Sequence, residues 1–258
     1  MGHERIGVLP KSRTWRNIVN LLADSSNSPS EIAQITNQTL ENVKNKYLNI
    51  HLDSGVQAAF GFLVALSSEN LPPDEGKAGI KIPIDEKSTP LNLVRHLNDW
   101  ITQNSDSLEY AELAKRAAAD TIAFWMKKKS SQGRLFDSSD DASLIWREAS
   151  NGAGFSEISR VFFSKFTERY LKYFLEREAS ASFNSLSQRR EFEIRMKEHV
   201  EKISLHSFET SKITQSFAAG WYNNHARKNR PNDNELTHFL SKAFSKLREE
   251  FSRETKGK

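Results

Sequence analysis

Apolar residues recur along this chain with the spacing of amphipathic helices. The longest such pattern covers 155–179, where aromatic and aliphatic side chains return every three to four positions, the period of one helix face. Its main ridge consists of Ile158, Phe162, Phe166, Tyr170 and Phe174. Further apolar residues widen this ridge until little of the second half is wholly polar, which is typical of a buried helix. We predict a central aromatic helix here, around which the rest of the chain packs.

The same period predicts helices along most of the remaining sequence. They span 12–23, 29–35, 40–52, 55–67, 90–102, 108–128, 141–149, 187–205, 208–227 and 234–253. A turn is expected over 36–39, between the second and third of these helices. The predicted fold is an all-α helical bundle.

One stretch, 69–88, interrupts the helical pattern. It is rich in residues that break regular structure, namely Pro72, Pro73, Gly76, Gly79 and Pro83. Alternating isoleucines at 80, 82 and 84 leave a short edge strand as an alternative within it. We interpret the stretch as a linker or long loop. It divides an N-terminal helical subdomain, 1–68, from a larger bundle, 89–258.

Composition narrows the functional classes. Cysteine is absent, which excludes disulfides, thiolate zinc sites and cysteine nucleophiles. The N-terminus lacks the apolar core of a signal peptide, and the longest apolar run, 56–66, is too short to cross a bilayer. These features predict a cytoplasmic protein that has no membrane partner.

Charge is unevenly distributed. The whole chain has a net charge of +4, and residues 221–258 alone contain nine Lys or Arg against five Asp or Glu. The entire positive surplus therefore lies in the C-terminal segment, an asymmetry that can mark an anionic partner.

Within that segment, residues 221–230 combine aromatic, amide and basic side chains. Arg227, Lys228 and Arg230 are suited to phosphate, while Trp221 and Tyr222 offer rings on which bases can stack. We predict that the three cations bind nucleic acid. The alternative is a buried Trp221 at a helix end whose last carbonyls favour nearby cations. The lysines at 127–129 fit that helix-end alternative better still.

The N-terminal helices carry a second candidate. Ser28, Pro29 and Glu31 form a strong helix start with capping-box spacing. Residues 29–50 resemble the helix-turn-helix of LuxR-type DNA-binding domains, through Glu31-Ile32-Ala33, Val43-Lys44 and Leu48-Asn49-Ile50. The resemblance implies a recognition helix whose groove-facing residues are Asn42, Lys44, Asn45, Lys46 and Asn49. The alternative is a set of ordinary small helices with a solvated Asn and Lys face.

Catalytic motifs are not found in the sequence. The seven histidines are scattered, although His199 and His206 can share a helix face, and HExxH, GxSxG and P-loop strings do not occur. Asp85-Glu86-Lys87 supplies only part of a nuclease motif. Gly152-Ala153-Gly154 is interpreted as a turn between helices, since no strand precedes it. We therefore predict a protein that is not an enzyme and that has no metal and no cofactor.

Together these observations predict a non-enzymatic, nucleic-acid-associated or assembly protein. Its partners would be DNA or RNA and other protein subunits. The alternative is a protein–protein adaptor or structural subunit of a larger prokaryotic complex, for example one acting in antiviral (phage) defence.

Overall fold

The structure, a computed structural model, describes residues 13–23, 28–68, 88–107, 110–131, 142–183, 185–209, 217–227 and 230–256. Every regular element in these ranges is helical and none is a strand, which confirms the predicted all-α class. Except for Ser88, the predicted linker over 69–88 lies outside the described residues, together with its alternative edge strand. Within the described ranges, no helix combines the length and apolar character needed to span a bilayer.

Four α-helices and a short 3-10 turn form the N-terminal part. They are α1 Arg13–Ala23, α2 Pro29–Asn42, α3 Lys44–Asn49, the 3-10 turn Ile50–Leu52, and α4 Ser54–Leu66. The later described ranges add seven α-helices and one π-helical turn. They are α5 Pro90–Asn104, α6 Ala111–Ser131, α7 Ala142–Arg147, α8 Gly152–Ser182, α9 Leu186–Glu209, α10 Phe217–Trp221, the π-helical turn Tyr222–Ala226, and α11 Asp233–Lys256.

Side-chain caps fix several of the helix starts. The Ser28 hydroxyl accepts the N–H of Glu31 at 3.4 Å, and the Glu31 carboxylate accepts the N–H of Ser28 at 3.1 Å, which confirms the predicted capping box. Thr89 caps α5 in a similar way by accepting the N–H of Asn92. These caps satisfy backbone donors that the first turn of a helix leaves without partners.

The central aromatic helix is confirmed as α8 and is 31 residues long. Its rings are buried, with Phe162, Phe166, Tyr170 and Phe174 all at 0% exposure. Helices α1, α6, α9 and α10 pack around it. A helix with large side chains on most sides is stable only when neighbours cover it, and here they do.

Phe60 of α4 links the N-terminal helices to this centre. Its ring centroid lies 5.2 and 5.3 Å from those of Phe162 and Phe163 on α8, and 5.3 Å from that of Phe239 on α11. The contacts α1–α8, α2–α9 and α2–α11 extend the same hydrophobic cluster. Helices from both predicted parts of the chain thus contribute to one core.

The predicted turn at 36–39 is wrong. Helix α2 is continuous from Pro29 to Asn42, and the chain turns at Val43 instead. The Thr36 and Thr39 hydroxyls donate to the carbonyls of Ile32 and Ile35, at 2.8 and 2.7 Å, so both threonines are satisfied inside a buried helix. The single helix predicted over 40–52 is correspondingly divided into the end of α2, α3 and the 3-10 turn.

Candidate nucleic-acid interface

A π-helical turn, Tyr222–Ala226, follows α10 and shapes the predicted C-terminal patch. The N–H of Arg227 bonds to the carbonyl of Tyr222 at 2.9 Å, five residues back. Tyr222 is fully buried, its hydroxyl donates to the carbonyl of Ser67, and its ring stacks on Phe155 with 4.8 Å between centroids. These tertiary contacts anchor the widened turn, and they show that the expectation of Tyr222 as a stacking surface for bases is wrong. π-Helical turns are rare in proteins overall, and those that occur are often found at functional sites.

The π-helical turn brings His225 to the start of α11. His225 Nδ1 lies 2.8 Å from Glu235 Oε1, so the ring N–H donates to the carboxylate. The other Glu235 oxygen accepts the N–H of Asn232 at 2.9 Å, while the Asn232 amide oxygen accepts the N–H of Glu235. The pKa of Glu235 is lowered from its ordinary value, first by the Asn232 N–H and then by the His225 side chain. Glu235 therefore both caps α11 and orients His225.

A groove of about 350 Å³ lies between α10 and α11, beside this pair. It is lined by Phe217, Gly220, Trp221, His225, His238, Phe239 and Lys242. We refer to these seven residues, together with Lys246 at the edge, as the basic aromatic groove. Its composition joins aromatic faces with groups that donate hydrogen bonds or carry positive charge.

Three rings form the floor of the basic aromatic groove. Phe239 is buried, with Trp221 at 4.6 Å and Phe217 at 5.4 Å between centroids. Trp221 also stacks on Phe155 at 5.7 Å, and on His225 at 5.8 Å. Trp221 and Phe217 are half-buried, so the floor is backed by the core while part of it faces the groove.

Lysines form one edge of the groove. The Nζ atoms of Lys242 and Lys246 lie 5.9 and 5.4 Å from the ring centroid of Phe217. Among the described residues, neither ammonium has a carboxylate oxygen within 4.0 Å. His238 is exposed one turn earlier on the same face of α11. The apolar residues of α11 predict only its buried face. The signal in the sequence for this polar row was the four-residue spacing of His238, Lys242 and Lys246.

The predicted C-terminal cations are only partly described. Arg227 is exposed immediately after the π-helical turn. Arg230 is also exposed, and its guanidinium carbon lies 4.9 Å from the ring centroid of Trp100 on α5. Lys228 lies outside the described residues. Trp221 is half-buried, so it fits neither a fully exposed stacking ring nor a wholly buried core residue.

At the N-terminal candidate, α3 presents one polar side and one core side. Lys46 and Asn49 are exposed, whereas Tyr47 and Ile50 are buried. The side chains of Lys44 and Asn45 lie outside the described part of the structure. Asn42 donates to the carbonyl of Gln38 at 2.8 Å within α2. The turn expected over 36–39 is not present, since α2 is continuous there. Of the predicted groove-facing residues, Lys46 and Asn49 are the two that the structure shows as exposed.

Two smaller candidates are occupied by structural interactions. Lys128 pairs with Glu157, and Lys129 Nζ lies 2.8 Å from Glu148 Oε2, so two of the three lysines at 127–129 have carboxylate partners. At the start of α8, the Asn151 amide oxygen accepts the N–H groups of Ala153 and Gly154 at 3.0 and 2.9 Å. Those donors already have a partner, as a helix–helix turn requires.

The remaining candidate metal-binding and catalytic residues form no cluster in the described part of the structure. In the described ranges, no three His, Asp or Glu side chains are placed to hold a metal ion. His199 and His206 both lie on α9, and the His199 ring packs against Phe251 with 5.6 Å between centroids. Asp85-Glu86-Lys87 lies outside the described residues.

Function must be argued from these sites themselves, because a fold class alone does not specify one. Comparison with protein-family models, curated proteins and solved structures found no match to this chain.

Proposed function

We propose that this protein is a nucleic-acid-associated protein that contacts phosphate through the basic aromatic groove and the adjacent C-terminal cations. The observation that carries the proposal is the pair Lys242 and Lys246. These ammoniums border an aromatic groove, and no carboxylate of the described residues neutralises them. Phosphate is the counter-charge that this arrangement fits best.

Several other lysines of the protein do have carboxylate partners. Several are paired with carboxylates across helices, namely Lys128, Lys129, Lys165, Lys172 and Lys202. Their charge is balanced locally and contributes little to a long-range field. Lys242 and Lys246 instead lie in the segment that carries the whole positive surplus of the chain.

The N-terminal helices are proposed as a second, duplex-binding contact. Lys46 and Asn49 are exposed on α3, and these residue types can bind phosphate and base edges. The part of the LuxR-type resemblance that covers 43–50, Val43-Lys44 and Leu48-Asn49-Ile50, supports this contact. The chain has no cysteine and so does not depend on disulfides, which are rare in cytoplasmic proteins. This supports a cytoplasmic location.

The proposal is tested by titrating labelled DNA and RNA oligonucleotides with the protein at two salt concentrations. Affinity should fall as salt rises, because each phosphate contact releases counterions. Lys242→Ala with Lys246→Ala should reduce the affinity and make its salt dependence shallower. Lys127→Ala with Lys197→Ala removes the same charge from exposed sites on α6 and α9 and should have little effect.

Two results would contradict the proposal. One is binding whose affinity does not respond to salt. The other is an equal loss of affinity in the groove variant and its control, since that would reflect net charge alone.

A protein–protein role is the second candidate, and α9 carries the observation that favours it. Leu186, Ile194 and Leu205 on this helix are 84%, 48% and 39% exposed. Ile194 and Leu205 lie about three turns apart on one side. A partner subunit that covers them should co-purify with the wild type and be lost with Ile194→Glu and Leu205→Glu. Retention of the partner by that variant would reject this surface.

A further inference from the structure

We infer that the basic aromatic groove accepts an unpaired base of a single-stranded nucleic acid, so that this groove binds a single strand in preference to a duplex. This inference rests on the proposed function and specifies its ligand. The groove presents the faces of aromatic rings as well as cations, and this combination is the basis of the inference.

The groove contains aromatic rings on which a base can stack. Phe217 and Trp221 are half-buried, and both rest on the buried Phe239 ring at 5.4 and 4.6 Å. Trp221 is further supported by Phe155. Because these rings are held by the core, they form a surface that does not need to be ordered when a ligand binds. Aromatic faces of this kind bind bases of any sequence, since every base has a π-face.

A row of basic side chains and one histidine runs along α11 beside these rings. His238, Lys242 and Lys246 follow one another at four-residue spacing, so they lie on one side of the helix. The two ammoniums over the Phe217 ring belong to long, flexible side chains that can reach phosphates next to a stacked base. A cationic row beside aromatic rings is the combination that tracks the backbone of a single strand.

The imidazole of His225 is oriented at the wall of the groove. Its Nδ1–H is held by Glu235 at 2.8 Å, which fixes the ring and leaves Nε2 as its other polar atom. The ring also stacks on Trp221 at 5.8 Å. An oriented imidazole at the wall of the groove can form a hydrogen bond with the edge of a base that stacks on the floor.

A duplex can reach the cations of the groove through its phosphates but cannot stack a base on the rings. In a duplex, each base face is covered by the neighbouring base pairs, and proteins reach only the base edges in the grooves. A site made of ring faces therefore gains from a strand whose bases are free. Phosphate contacts alone would not distinguish the two forms.

The test compares four ligands with the wild-type protein at one salt concentration. They are a labelled single-stranded RNA, the DNA of the same sequence, the DNA strand with several abasic positions, and its duplex. Base stacking contributes about 1–3 kcal/mol per base, so the abasic strand should bind at least about fivefold more weakly than the intact strand. The duplex should also bind more weakly than the single strand to the variant Lys46→Ala with Asn49→Ala, which lacks the proposed duplex contact of α3.

A variant locates the effect. Phe217→Leu keeps an apolar side chain but removes the ring, and should weaken binding of the intact strand while leaving the abasic strand nearly unchanged. Thermal unfolding confirms that the variant is folded, and the wild-type comparison of ligands stands independently of it. Equal affinity for intact and abasic strands, or tighter binding of the duplex by the variant that lacks the α3 contact, would overturn the inference and leave the proposed function intact. No binding of any of the four ligands would overturn both.

Discussion

His225 Nδ1 lies 2.8 Å from Glu235 Oε1 and joins the π-helical turn to the first turn of α11. The same carboxylate accepts the N–H of Asn232 at 2.9 Å, so one side chain serves as helix cap and as partner of the imidazole. The position of the groove wall is thereby coupled to the start of α11. A change at Glu235 should affect both.

The first prediction concerns acid stability. Because the folded-state pKa of Glu235 is lowered, its carboxylate stabilises the fold above the ordinary value of 4.5, and this contribution is lost as pH falls through the lowered pKa. Glu235→Gln has no carboxylate to lose. Its melting temperature should lie below that of the wild type at neutral pH, and the difference should narrow below pH 4.5. Glu249→Gln, on an exposed part of α11, controls for the loss of one charge. A difference that widens on acidification would contradict the assignment.

The second prediction concerns two glycines of α4. A Cβ at Gly55 would lie 2.5 Å from the Cβ and 2.7 Å from the Cα of Ala111, the first residue of α6. Gly55→Ala should therefore destabilise the protein by about 1–3 kcal/mol through overpacking. Gly61→Ala is the matched control. Its added methyl meets only Leu236 Cδ2, at 3.5 Å, and the better helix propensity of Ala should stabilise by up to about 1 kcal/mol. Urea unfolding that ranked the two in the opposite order would show that α4 and α6 are not so closely packed.

The third prediction concerns a buried hydroxyl pair. The Tyr47 and Thr167 hydroxyls lie 2.9 Å apart and connect α3 to α8, and burial raises the pKa of the Tyr47 phenol, which therefore stays protonated. Tyr47→Phe and Thr167→Val should each cost about 1 kcal/mol in the free energy of unfolding. The double variant should cost less than the sum, because neither polar group is then left alone. Strictly additive costs would mean that the two hydroxyls do not interact.

The fourth prediction concerns the N-terminal contact. Lys46→Ala with Asn49→Ala should lower affinity for duplex DNA by about tenfold, as the loss of a phosphate and a base contact would imply. Single-strand affinity should change little. Arg16→Ala with Asn17→Ala removes the same charge and one asparagine from exposed positions of α1 and serves as control. Unchanged duplex affinity in the Lys46 variant would reject a DNA-binding role for α3.

The helices were predictable where sequence carries local signals. The capping box at Ser28 and Glu31 marked the start of α2, and the four-residue aromatic ridge marked α8. The error at 36–39 has a physical cause. Polar residues favour turns when their side chains compete with the helix for backbone hydrogen bonds. The Thr36 and Thr39 hydroxyls instead donate to carbonyls of their own helix, so they do not interrupt it.

The groove was only partly predictable. The segment 221–230 was identified from its charge and its tryptophan, but Phe217 and Lys242 reach the same place through tertiary packing of α10 on α11. The π-helical turn was also missed, because it depends on the burial of Tyr222 against Phe155 and Ser67. The spacing of apolar residues along one helix does not reveal its contacts with other helices.

The most direct test of the central claim is to map where a bound single strand touches the protein. A strand carrying 5-bromouracil is cross-linked to the protein by ultraviolet light, and the modified residues are identified by mass spectrometry. We predict cross-links to Phe217, Trp221, His225 or His238, which line the basic aromatic groove. A strand that binds but cross-links only to other helices, and never to these four residues, would contradict the account.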